Sequence, residues 1–165
     1  PQKYPVPQTL AGYLIENLKV VKVCDNGSCF PDVMYTRLNG TKHLNYSREG
    51  SNFASFVLND GTLFLFWSAG SCSASHKTCG FIYVDINGKY PPNQWGRDMF
   101  GFVLTPSSII PFGIEGYEYP FSTSCNKNRD SYLNGIGCTA WVMQNENMDY
   151  LYCDNLTWNG KTKCK

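Results

Sequence analysis

Residues 79–102, CGFIYVDINGKYPPNQWGRDMFGF, constrain this chain more than any other segment. Phe81, Ile82, Tyr83 and Val84 form an apolar run of β-formers that stops at Asp85-Ile86-Asn87-Gly88. A second apolar run starts at Met99 and reaches Leu104, and Pro91, Pro92, Asn93, Gly96 and Asp98 lie between the two. Short runs of this composition, bounded by Gly, Pro, Asn and Asp, read as strands. The segment therefore predicts two strands pinned by a loop rich in carboxylate and amide oxygens.

At 165 residues the chain fits one domain with a real core, and no internal boundary or repeat divides residues 1–165. Hydrophobic residues make up 42%, which excludes a disordered tail, while charged residues are only 16%, below the roughly 25% of ordinary soluble domains. The surface must rely on Asn, Ser, Thr, Gly and Tyr, as exported proteins often do. A net charge of +1 spread along the chain offers no basic stripe for phosphates, so nucleic acid is not expected as a partner. Eight cysteines stand at 24, 29, 72, 79, 125, 138, 153 and 164. None forms a Cys-x-x-Cys pair, so the spacing does not suit structural zinc and reads instead as a disulfide set made in an oxidising compartment. The simplest pairing joins neighbours: Cys24 to Cys29, Cys72 to Cys79, Cys125 to Cys138 and Cys153 to Cys164.

Thr9 can cap a helix over residues 9–23, because Leu10, Leu14, Leu18 and Val21 recur at helical spacing. Residues 32–44 predict a strand broken at Asn39-Gly40, and residues 50–54 a helical turn. Residues 56–58 and 62–67, joined by Asn59-Asp60-Gly61, predict the clearest hairpin. Residues 105–133 read as loop, 138–143 as a strand, and 148–153 as a strand or short helix. The expected class is α+β: an N-terminal helix packed on an antiparallel sheet with disulfide-tied loops.

Asp85, Asn87, Asn93 and Asp98 are the best candidate site. Calcium takes six to eight oxygens from carboxylates, amides and carbonyls, and Asp-x-Asn-Gly sets two such side chains on one turn. The alternative is structural: Asp85 and Asn87 form Asx-turn bonds, and Asp98 pairs with Arg97 or caps a backbone amide. His43 and His76 fall in expected loops without a nucleophile motif, so no catalytic residue is named. Trp67 and Trp141 are expected in the core, and the role of Trp95 stays open between core and a sugar-stacking surface. Four Asn-x-Ser/Thr sequons, at Asn26, Asn39, Asn45 and Asn155, would mark surface loops in a eukaryotic secreted protein.

The strings at 79–88, Pro92-Asn93, 96–100, 137–142 and 147–151 resemble the globular part of bacterial type IV pilin-like proteins and type II secretion pseudopilins. Together they span residues 58–153. The resemblance implies a non-enzymatic structural subunit of a pilus-like filament or secretion pseudopilus, outside the cytoplasm or on the bacterial cell surface. Its implied partners are copies of itself or other pilin-like subunits, and the inner membrane through an apolar N-terminal helix that this sequence lacks. Residues 9–23 would then be the second half of that helix. Some pseudopilins bind calcium in a loop between strands, which bears on Asp85, and no other cofactor is implied. The rival readings are a secreted, calcium-assisted, lectin-like binding module and a small secreted hydrolase.

Overall fold

Large apolar side chains on both faces of four consecutive strands build the centre of the molecule. A computed structural model describes residues 12, 15–24, 26–47, 50, 52–69 and 78–165. The strands are β1 (Val20–Cys24), β2 (Met34–Thr36), β3 (Lys42–Asn45), β4 (Phe53–Leu58), β5 (Leu63–Ser68), β6 (Gly80–Asp85), β7 (Met99–Leu104) and β8 (Ile109–Pro111). Six of them form one antiparallel sheet in the order β1-β4-β5-β6-β7-β8, while β2 and β3 pair separately. The four central strands run in unbroken register, as in Phe56↔Phe64↔Val84↔Phe100 and Leu63↔Asp85↔Met99.

Both faces of this sheet are covered, so its strands are apolar at odd and even positions alike. One face carries Phe56, Phe66, Ile82 and Val84, against which Ile15 and Leu18 pack from the chain ahead of β1. The other carries Leu63, Leu65, Met99 and Val103, covered by Tyr35, Tyr46, Trp95, Phe112 and Ile136. A third cluster gathers Leu38, Phe121, Trp141 and Tyr150 in the C-terminal part. There Phe121 and Trp141 stack at 4.3 Å with ring planes 13° apart.

The structure overturns the expected α+β arrangement. Among the described residues no long N-terminal helix packs on the sheet: Val20, Val21 and Val23 belong to edge strand β1, with Val23 opposite Phe56 and Cys24 opposite Ser55. Valine is stiff at χ1 and favours the pleated sheet. The open edge of β4 also supplies a hydrogen-bonding ladder that a helix would leave unused. Residues 9–11, 13 and 14 of the expected helix lie outside the described residues. The described chain is mostly antiparallel β, and its longest described helix, Thr139–Asn145, has seven residues. That helix replaces the strand expected over 138–143. Strand β4 begins where a helical turn was expected, and β8 lies within an expected loop. The segment 32–44 does split at Asn39-Gly40, into the β2–β3 hairpin with Gly40 at φ +82°.

Three of the expected neighbour disulfides are formed: Cys24–Cys29, Cys125–Cys138 and Cys153–Cys164. Cys79 is also disulfide-bonded, while Cys72 lies outside the described residues. Three bridges in so small a domain fit an oxidising environment. Ser55 fastens the first bridged loop to the sheet, accepting from Cys29 N at 3.2 Å and donating to the Asn26 carbonyl. Among the described residues no helix is long and apolar enough to cross a membrane.

Candidate functional site

Strand alternation turns Asp85, the last residue of β6, to the face that carries Phe81 and Tyr83, beneath Tyr35 of β2. Asp98 stands just before β7, and Ile86 N donates to Asp98 O at 2.9 Å, which extends the ladder past the strand ends. The two acids are thus held together at one end of the β6–β7 pair. Between them the chain makes turns that need left-handed backbone, at Gly88 (φ +68°), Asn93 (φ +50°) and Gly96 (φ +76°). A Cβ on Gly96 would lie 2.8 Å from Cys138 Sγ, so only glycine fits where the loop crosses that disulfide.

Both carboxylates are used inside the protein. Tyr35 O–H donates to Asp85 Oδ2, and Asn87 N donates to Asp85 Oδ1 at 3.2 Å, the expected Asx turn. Asp98 accepts from Asn93 N (2.8 Å) and Gln94 N (2.5 Å), which is the capping role and not a pairing with Arg97. The braced loop docks on β2 through Thr36 N to Asn93 O (2.9 Å) and Trp95 N to Thr36 O (3.0 Å). Gln94 Nε2 donates to Arg37 O at 2.8 Å, and Tyr150 O–H donates to Gly96 O at 2.7 Å.

Burial dominates the electrostatics. Asp85 is 0% exposed and Asp98 3%. Loss of water pushes Asp85 up to about 7; the Tyr35 hydrogen bond opposes this and the Asp98 charge adds to it. Desolvation also raises Asp98, against the amide donors of Gln94 and Asn93. The phenol of Tyr35 is raised too, by burial first and then by the Asp85 charge, and it stays a proton donor. A carboxyl near 7 suits proton transfer. Asp85, however, is sealed from solvent with both oxygens engaged.

The same loop contains two polar atoms with no partner: Asn87 Oδ1 and Asn93 Oδ1 are buried and accept no hydrogen bond. Two carboxylates and two amide oxygens are the donor types that calcium takes. Among the described residues no group of three or more His, Cys, Asp or Glu is gathered for a metal. A cation here would therefore rely on amide and carbonyl oxygens beside the two acids. All four residues named from sequence fall in one connected cluster, and the orphaned amide oxygens are what fits a hard cation.

Of the other residues named from sequence, some lie where expected and some do not. His43 lies in β3 and is buried, not in a loop, and His76 lies outside the described residues. Trp95 is 1% exposed and donates Nε1–H to Tyr46 Oη at 3.0 Å, so it is core and not a surface stacking platform. Trp141 is buried as expected, while Trp67 is half-buried and stacks on Phe81 at 5.2 Å. Sequence reasoning missed Tyr35, Gln94 and Tyr150, which lie far from the acids in sequence or show no motif. The chain matches no protein-family model, no curated protein and no solved structure.

Proposed function

We propose that this domain is a structural subunit of an extracytoplasmic, pilin-like filament or secretion pseudopilus, and that its β6–β7 loop is a calcium-stabilised brace. The observation that carries the reading is the use made of the loop's motif residues. Asp85, Gly88, Asn93, Gly96 and Asp98 all serve to hold the loop's shape, with both acids buried. A calcium ion would compensate the two carboxylates and satisfy Asn87 Oδ1 and Asn93 Oδ1.

Two measurements test the two halves. Thermal unfolding with millimolar calcium and with a chelator should differ, by about 2.7 kcal/mol at a hundredfold excess over Kd. Asp85→Ala should abolish the difference, and a melting temperature indifferent to calcium removes the metal. For the assembly, the full gene product should be cross-linked to copies of itself or to sibling subunits outside the cytoplasm. A product found there only as a free monomer defeats the filament reading.

A further inference from the structure

Above one face of the sheet, between the β2–β3 hairpin and residues 112–136, lies a solvent-connected cavity of about 290 Å³. We propose that it is a binding site for a neutral aromatic ring system of one or two fused rings, of the phenol or indole class. This proposal is independent of the filament reading.

The walls define the ligand. Tyr46, Tyr83, Trp95 and Phe112 line the cavity with rings set at steep angles. Tyr83 and Trp95 meet at 5.8 Å and 88°, Tyr46 and Trp95 at 6.1 Å and 66°, and Tyr83 and Phe112 at 6.4 Å and 62°. A cavity built this way presents both faces and edges, which another aromatic ring engages in offset or edge-to-face geometry. Trp95 already donates its indole N–H to Tyr46, so the indole makes no polar demand of its own on an occupant.

The side of the cavity is fixed too. The ring of Tyr132, 53% exposed, has the Arg37 guanidinium 4.9 Å over it and the His43 ring 4.7 Å away. Arg37 Nε also donates to Tyr132 O at 3.2 Å. Tyr119 stands against Phe112 at 4.7 Å and 74°.

The described lining favours an uncharged, largely apolar ligand. Among the described lining side chains there is no Asp, Glu, Asn, Gln, Lys or Arg. A saccharide would find no carboxylate or amide among these side chains to take paired hydroxyls, and the charged groups near the lining are His43 and, over the Tyr132 ring, Arg37. Tyrosine hydroxyls supply the few polar groups that a mostly apolar pocket uses to orient its ligand. The volume lies near the ~300 Å³ lower limit of small-molecule pockets, which sets the one-to-two-ring size.

The test is titration of the full chain with indole, followed by nuclear magnetic resonance of the aromatic side chains. The expected result is saturable shifts of Trp67, Tyr119 and Tyr132, with Kd in about the millimolar range for so small a ligand. p-Cresol should compete, while glucose and benzoate should not. Leu133→Trp and, separately, Leu44→Trp should fill the cavity and weaken indole binding by about tenfold or more, in variants whose melting temperature shows them folded. The proposal is overturned if indole gives no saturable shift, if both folded variants bind it as before, or if glucose binds at the same rings.

Discussion

Two hairpin connections lie side by side at one end of the sheet, and each depends on aspartate in a different way. Between β4 and β5 the turn Asn59-Asp60-Gly61 is tight. Asp60 Oδ1 accepts from Thr62 N at 3.0 Å, and Gly61 takes φ +92°. Asp60 is fully exposed, and the Thr62 hydrogen bonds hold its carboxyl below the usual range. Between β6 and β7 the acids Asp85 and Asp98 are buried, and burial raises both. The turns touch, since a Cβ on Gly88 would lie 2.5 Å from Gly61 O. One residue type thus serves a small turn cheaply, because water still solvates its charge. In the larger loop it holds nearby backbone amides and the distant Tyr35 phenol, and bears the cost of desolvation.

That contrast can be broken in three ways. The largest effect is expected for Asp98→Ala, which orphans the amides of Asn93 and Gln94 in the loop that docks on β2. At about 1.5–3 kcal/mol for each hydrogen bond to a charged group, the loss should be about 3 kcal/mol or more. Urea unfolding measures it, and a loss near zero would mean that the loop does not depend on its acids.

The next effect is pH dependence in the presence of a chelator. Asp85 titrates at 3.8 ordinarily and at about 7 in the folded protein, so the native state binds more protons between those values. Its contribution to stability is full below 3.8 and is lost as pH rises through about 7. The slope from Asp85 alone should be at most about 1.4 kcal/mol per pH unit, and Asp98 adds to it in the same direction. Calcium, by holding the ionised form, should flatten the profile. Melting temperatures that do not fall across this window in chelator would remove the distinction between the loops.

The smallest effect belongs to Asp60→Ala. Asp60, with its lowered carboxyl, contributes above the ordinary carboxyl range and loses that contribution as pH falls through its folded value. Fully exposed, it should shift the melting temperature at neutral pH by an amount close to experimental error. A large loss would place the two turns on the same footing.

Local chemistry made part of this legible in the sequence. Asn59-Asp60-Gly61 between β-formers marked the β4–β5 turn, and the runs beside Asp85 and Asp98 marked β6 and β7. Neighbour spacing anticipated three of the bridges. The N-terminal segment was misread because Leu14, Leu18 and Val21 satisfy a helical period, while Val20, Val21 and Val23 carry the stronger β preference. The decisive term is the free edge of β4, a tertiary feature. Trp141 and Val142 look like strand residues but lie in helix Thr139–Asn145, with the Trp141 ring against both Phe121 and Trp158. At the site, the four oxygen-bearing residues were legible because they share one loop. Tyr35 was not, since it reaches Asp85 across fifty residues of sequence.

The described bridges span 5, 13 and 11 residues of sequence, each closing on its own neighbourhood. Short loops cost the least entropy to close, so native partners meet more often than distant ones. For a chain threaded through a secretion channel N-terminus first, each pair can oxidise soon after it emerges. For such a chain Cys24–Cys29 and Cys125–Cys138 need not wait for Cys153 and Cys164, so a partly emerged molecule would already hold correct cross-links in the part that is outside.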